Sequence, residues 1–290
     1  MISRAATHSR SDPFDWPAAL DFLGRRAIGG VEEVARGGYT RSVRVDGAAG
    51  AMALTLDLDR QLRLSMSGGG LPADDVAARV RWMFDLDADL DVINAHLAAS
   101  DPWMATLVAA RPAIRVFHGW SGFEVAIRTI IGQQVSVARA RVLNGILVER
   151  CGDAIEAPVG PVSRLFPTPQ QVLDADLAGL GMPGARVAAL QAVAQAAIDD
   201  PRLFERGRTV EETTHRLRSV KGIGDWTAHY IAMRACGEPD AFPASDVGLL
   251  RGATGPDGRR PTARELLARA EAWRPWRAYA AHHLWAVDPW

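Results

Sequence analysis

At 290 residues with a net charge of −1, the chain can bury a substantial core and lacks the overall basic excess of a general nucleic-acid binder. Its two cysteines, Cys151 and Cys236, exclude a disulfide framework and a four-thiolate metal site, and no long apolar run marks a membrane span. Arginine supplies nearly all the positive charge, and Lys221 is the sole lysine, so chemistry that needs a Schiff-base amine has one candidate.

Residues 1–13 lack an apolar signal core, which predicts a locally disordered start to a soluble, unexported chain. Trp16–Arg25 has the spacing of an amphipathic helix. Tyr39–Val45, Ala51–Leu58 and Gln61–Met66 read as strands, with Met52, Leu54, Leu56 and Leu58, then Leu62, Leu64 and Met66, alternating with other residues. Asp59-Arg60 marks a hairpin and Gly68-Gly69-Gly70 ends the meander, so an antiparallel sheet with helices on one face is expected.

Beyond Pro72 the pattern is almost wholly helical, with helices predicted near 73–84, 88–99, 101–110, 121–131, 134–151, 168–175, 184–199, 209–219, 225–236, 246–252, 261–272 and 275–285. The fold class is therefore α+β: a sheet domain followed by two helical lobes flanking a cleft. The acidic run Asp85, Asp87, Asp89 and Asp91 and the arginines at 259, 260, 264, 269, 274 and 277 are solvated helix surface, or a segregation of charge that leaves a local basic face.

Leu217-Arg-Ser-Val-Lys-Gly-Ile-Gly-Asp-Trp-Thr-Ala228 interrupts the helical pattern with two glycines, each costing about 1 kcal/mol against Ala inside a helix. They mark a tight turn opening a helix, where unpaired backbone N–H groups suit a phosphate oxygen. Lys221 adds a positive charge beside the turn, and Asp225 is expected to cap the following helix. Trp226 and Tyr230 share a helix face, as core or as a platform for a flat, electron-poor group together with Trp273, Trp276, Trp285 and Trp290. Asp246 follows Phe242-Pro243; read alone, it is an early-turn acid that stabilises a helix dipole. Gly132-Gln-Gln-Val-Ser136 is a polar helix–helix corner, or a loop tip that enters a DNA stack. The adjacent pair His282-His283 points apart on a helix and does not make a metal site.

Val220-Lys-Gly-Ile-Gly-Asp-Trp-Thr-Ala with Asp246 downstream resembles the helix-hairpin-helix, Gly/Pro-Asp superfamily of DNA glycosylases. Phe123-Glu-Val-Ala-Ile-Arg-Thr-Ile-Ile-Gly-Gln-Gln-Val-Ser-Val-Ala, Phe166-Pro-Thr-Pro, Leu180-Gly-Met-Pro and Trp273-Arg-Pro-Trp-Arg-Ala-Tyr-Ala resemble its bacterial DNA-3-methyladenine glycosylase II branch. The likeness runs from Phe14 to Trp290, more loosely at the N-terminal end.

The resemblance implies a TATA-binding-protein-like half domain over 1–97, a helical lobe from 98–121 with 239–290, and a second lobe over 122–238 carrying the hairpin. It implies that Asp246 is catalytic and that Trp226, Tyr230 and Trp285 line a base pocket. It further implies that Gln134 wedges into the gap left by a flipped base, where Leu is familiar. By the same likeness Lys221, Gly222, Ile223, Gly224 and Thr227 meet DNA, and the carbonyls of Arg218, Val220 and Ile223 hold a structural Na+ or K+, with no cofactor required. Trp226 stands where bifunctional relatives carry a lysine, which implies a monofunctional hydrolase acting on alkylated purines in double-stranded DNA. The missing cysteine quartet removes the iron–sulfur branch. The implied protein is a cytoplasmic, nucleoid-associated monomer with no membrane or obligate protein partner. Two departures stand out: Lys221 in place of a proline, and Ser245 in place of a second acid. The rival class is a non-catalytic, damage-sensing DNA-binding protein, for which an acid such as Asp246 near backbone phosphates has no use.

Overall fold

The computed structural model describes residues 2–6, 14–59, 61–255 and 258–287. The chain opens with an antiparallel sheet of β1 (Ile2–Ala6), β2 (Glu32–Ala35), β3 (Gly38–Val45), β4 (Ala48–Leu56) and β5 (Leu62–Ser67), in the order β1-β5-β4-β3-β2. β1 corrects the expectation of a disordered start: Arg4 sits opposite Leu64 in an antiparallel ladder. The five-residue run Ile-Ser-Arg-Ala-Ala gives no alternation to read, and the partner strand supplies the order. The rest of that expectation, at residues 1 and 7–13, lies outside the described residues, as does Trp290.

The β4–β5 register sets Met52 opposite Met66, Leu54 opposite Leu64 and Leu56 opposite Leu62, so the two alternating sets share one face. α1 (Trp16–Arg26) and α2 (Ala73–Met83) cover that face with Trp16, Ala19, Val76, Val80 and Met83. Leu54 and Leu64 are fully buried there, each contributing about 2 kcal/mol of transfer free energy. β4 stops at Leu56 rather than Leu58: the Asp57 carboxylate accepts the Gln61 N–H at 2.7 Å and turns the chain, leaving Leu58 in solvent. On the other face, Ala51 packs against Ile155, Val162 and Leu165 around a hairpin of β6 (Ala154–Val159) and β7 (Val162–Arg164). Prolines 158 and 161 interrupt any alternation in that hairpin, which hid it in the sequence.

The helical part comprises α3 (Leu90–Ser100), α4 (Pro102–Ala110), α5 (Gly122–Gly132), α6 (Val137–Cys151), α7 (Pro169–Asp174), α8 (Gly184–Asp199), α9 (Val210–Arg218) and α10 (Asp225–Arg234). It ends with α11 (Val247–Gly252), α12 (Ala263–Ala270) and α13 (Arg277–Trp285). Side-chain caps fix many starts: Ser121 accepts the Glu124 N–H, Ser136 the Arg139 N–H, and Thr168 and Thr262 form capping boxes with Gln171 and Glu265. One apolar cluster runs from Leu90 to Leu284 and includes Ile127, Ile130, Leu190, Ile231, Leu249 and Trp273.

A buried ionic cluster joins the sheet to α5. Arg41 donates to Glu124 at 2.7 Å, Arg128 donates to Glu32 and Glu124 at 2.9 Å each, and the Tyr39 hydroxyl donates to Glu32 at 2.7 Å. Arg128 also donates to the Arg26 carbonyl at 2.7 Å, which pins the C-terminal end of α1 against the helical part.

Candidate active site

α9 and α10 flank a turn over residues 219–224. Gly222 sits at φ +92, in the left-handed region, and a Cβ there would lie 2.3 Å from the Ala189 Cβ on α8. Both backbone and space therefore demand glycine. The cap of α10 is Gly224, with no side-chain hydrogen bond, and not Asp225 as expected. Asp225 falls in the first helical turn and pairs instead with Arg218 at 3.1 Å across the turn. The first N–H groups of α10 thus lack a side-chain cap, as an anion site requires. Lys221 and Gly222 are exposed beside them, whereas Ile223 is buried. Thr227 is also buried, and its hydroxyl accepts the Gln133 side-chain N–H at 3.0 Å. Its side chain is thus turned into the fold, and its main chain lies in the first turn of α10.

The same hydrogen bond ties the α5–α6 corner to the hairpin. Gln133 caps α5, and Gln134 follows at φ +57 with its side chain in solvent. The predicted helix start at residue 134 therefore moves to Val137, with Ser136 as its cap.

Trp226 and Tyr230, one turn apart on α10, stack at 5.3 Å between centroids with 17° between planes. Trp285, near the end of α13, meets Tyr230 edge-on at 6.1 Å and 62°. Asp246 faces this group. The loop before it is fixed by the Phe242 N–H, which donates to His229 Nδ1 at 3.2 Å, and by Phe242 packing on Trp273. Burial holds His229 below its ordinary pKa, which suits a ring nitrogen acting as acceptor.

Asp246 caps α11: its Oδ1 accepts the N–H groups of Gly248 at 2.8 Å and Leu249 at 3.0 Å. The indole of Trp285 donates to the same oxygen at 2.8 Å, and the indole of Trp226 donates to Oδ2 at 2.9 Å. No arginine or lysine pairs with this carboxylate among the described residues. It is an anion held by four neutral donors, at the opening of a helix whose dipole favours it. The expected acid at the start of a helix is here its N-cap, and the two indole bonds go beyond that role.

Trp273 is core, fully buried, and Trp276 packs on Tyr279 away from this group. A cavity of about 250 Å³ bounded by Trp82, Asp85, His118, Glu238, Trp276 and Tyr279 shares no residue with it. Sequence reasoning passed over Phe22 and Arg26 on α1 and Arg234 on α10. Arg234 lies one turn beyond Tyr230, with its guanidinium carbon 5.7 Å from the Tyr230 ring, 6.0 Å from Trp285 and 4.7 Å from Phe22. Its spacing from Tyr230 was a readable signal; Phe22 and Arg26 reach the site only through tertiary packing.

Two family models match the chain: the AlkA N-terminal domain over residues 9–121 and the HhH-GPD superfamily base excision DNA repair protein over 127–278. The chain belongs to the HhH-GPD superfamily of base excision DNA repair proteins. Its particular likeness is to DNA-3-methyladenine glycosylase 2 of Escherichia coli, with 34% identity over 96% of this chain and 95% of the relative. A Mycobacterium tuberculosis relative, named as a bifunctional transcriptional activator and DNA repair enzyme, is 34% identical over 95% of this chain, which spans only 55% of that longer protein. The structure of a 3-methyladenine DNA glycosylase from Archaeoglobus fulgidus superposes with a TM-score of 0.83 over 99% of this chain and 98% of that one, at 23% identity. No helix among the described residues is long and apolar enough to cross a membrane.

Proposed function

We propose that this protein is a monofunctional DNA glycosylase that flips alkylated purines of the 3-methyladenine and 7-methylguanine class out of double-stranded DNA and hydrolyses the N-glycosidic bond. The observation that carries the reading is the Asp246 carboxylate held between the indole N–H groups of Trp226 and Trp285. A purine alkylated at N3 or N7 is a cation and already a good leaving group. What remains is positive charge building on the deoxyribose, and a fixed, half-buried carboxylate stabilises it. The electron-rich faces of Trp226, Tyr230 and Trp285 favour a cationic ring by stacking and cation–π attraction, worth about 0.5–2 kcal/mol per face.

The hairpin main chain at Gly222 to Thr227, with Lys221 beside it, holds a backbone phosphate, and Gln134 enters the stack where the base has left. Na+ or K+, where bound, is held by the carbonyls of Arg218, Val220 and Ile223 and supplies positive charge beside that phosphate. Neutral carbonyls fit such a weakly charged ion, and Val220 O, which accepts the Ile223 N–H at 3.1 Å, keeps a second lone pair. The protein acts as a monomer without a cofactor.

Lys221 is exposed on the hairpin, away from Asp246, and no other lysine exists to form a Schiff base with the sugar. Methylated duplex DNA incubated with the protein is expected to yield free methylpurines and abasic sites in unbroken strands. Strand cleavage by β-elimination without added alkali would contradict the monofunctional assignment, and release of no base would contradict the reading as a whole.

A further inference from the structure

An alkylated cationic purine needs no proton to leave, whereas a neutral purine departs as an anion unless one is supplied. Three aromatic side chains are grouped beside Asp246, and between them they carry three polar hydrogens. Two are spent, since the N–H groups of Trp226 and Trp285 both donate to Asp246. The third is the hydroxyl of Tyr230.

Near Tyr230 stand two guanidiniums, those of Arg234 and Arg26. Arg234 lies 5.7 Å from the Tyr230 ring, and its Nη1 donates to the Phe117 carbonyl. Arg26, at the end of α1, sits 4.1 Å over the Phe22 ring, whose centroid is also 4.7 Å from Arg234. Neither arginine forms an ion pair among the described residues. This differs from Arg41 and Arg128, which face Glu32 and Glu124, and from Arg277, which faces Asp240. Burial lowers Arg26 to about 10, still a cation at neutral pH, and Tyr230 is the neighbour that favours its charge while Arg234, Arg128 and Arg25 oppose it.

We propose that Tyr230 is the catalytic donor that protonates departing neutral purines, and that Arg234 and Arg26 are positioning residues that strengthen its hydroxyl as a donor. The proposal rests on the reading of Asp246 and its aromatic neighbours as a base-excising site. The C1′–N bond breaks with its electron pair going to the purine, and the Tyr230 O–H proton passes to a ring nitrogen of that purine. The phenolate left behind is held by Arg234. Water adds to C1′ opposite Asp246, and the proton that it sheds returns through solvent to the phenolate. Burial works against ionisation of the phenol, but Arg234 and Arg26 outweigh both burial and Asp246, and the net displacement is downward.

The test is single-turnover release from duplexes that carry one hypoxanthine, a neutral purine, or one 7-methylguanine, a cation. Tyr230→Phe is expected to slow hypoxanthine release about a hundredfold and 7-methylguanine release less than about tenfold. Arg26→Gln is expected to shift the ratio the same way by a smaller factor, and Arg26→Lys to restore part of it, since charge and not shape is what Arg26 supplies. Parallel losses on both substrates would overturn the inference and leave Tyr230 as pocket wall. An unchanged ratio in Arg26→Gln would overturn the role of the guanidiniums. Wild-type release of 7-methylguanine without hypoxanthine would overturn the inference alone, and release of neither would overturn the glycosylase reading with it.

Discussion

The carboxylates of Glu32 and Glu124 lie in the seam between sheet and α5 with Arg41 and Arg128 against them, whereas the carboxylate of Asp246 meets two indoles, two backbone amides and no guanidinium. Scarcity does not explain the difference, because the chain has 33 lysines and arginines. In the seam, charge is cancelled within the fold, and the cluster ties the sheet to α5. At Asp246 the negative charge is held in place but not cancelled, which leaves it available to a positive charge brought from outside. An anion steadied by dipoles alone is what a developing sugar cation requires.

The largest test of this contrast is to break the seam. Glu124→Ala strands Arg41 as a buried, partly unpaired cation, and the expected cost is about 3–5 kcal/mol of unfolding free energy. Urea denaturation measures it. A cost below about 1 kcal/mol would mean that the seam is not a structural cluster at all.

His283 sharpens the comparison because it is a buried ionisable group that neither pairs nor joins the aromatic group beside Asp246. Its Nδ1 has no hydrogen-bond partner, and burial lowers its pKa to about 4. The ring is therefore neutral in the folded protein, while the unfolded chain binds a proton near the ordinary value of about 6.5. Stability from this group is complete above about pH 6.5 and drains away as pH falls toward about 4, a loss on the order of 3 kcal/mol. Between pH 7 and pH 4.5 the wild type is expected to lose about 2 to 3 kcal/mol more than His283→Gln in urea melts. Equal losses would place the titration elsewhere.

The smallest effect belongs to the periphery. Lys221 is exposed, so Lys221→Gln is expected to reduce the slope of log affinity against log salt by about 1 for undamaged duplex, with little effect on the rate of base release at saturating protein. An unchanged slope would remove Lys221 from the DNA interface.

Much of the architecture could be read from local pattern. The two alternating sets in β4 and β5 meet as cross-strand pairs, and the Gly-Ile-Gly turn falls between α9 and α10. Several errors share a cause: the deciding partner was far away in sequence. β1 is ordered by β5, and the β6–β7 hairpin by the far face of β4. Asp225 looked like a cap, but Gly224 takes that place and Arg218 takes the side chain. At the site, spacing on α10 placed Trp226 and Tyr230 together. Nothing local announced that both Asp246 oxygens would meet indole N–H groups, or that α1 would bring Arg26 near Tyr230.

The account turns on Asp246 as an anion that the reaction uses and the fold does not neutralise. Single-turnover release of 7-methylguanine by wild type and Asp246→Asn, measured beside duplex binding, tests this directly, since Asn keeps the shape and can still cap α11. The expected result is a rate loss of about a hundredfold to a thousandfold with DNA binding equal or tighter. Equal release by both proteins would contradict the account.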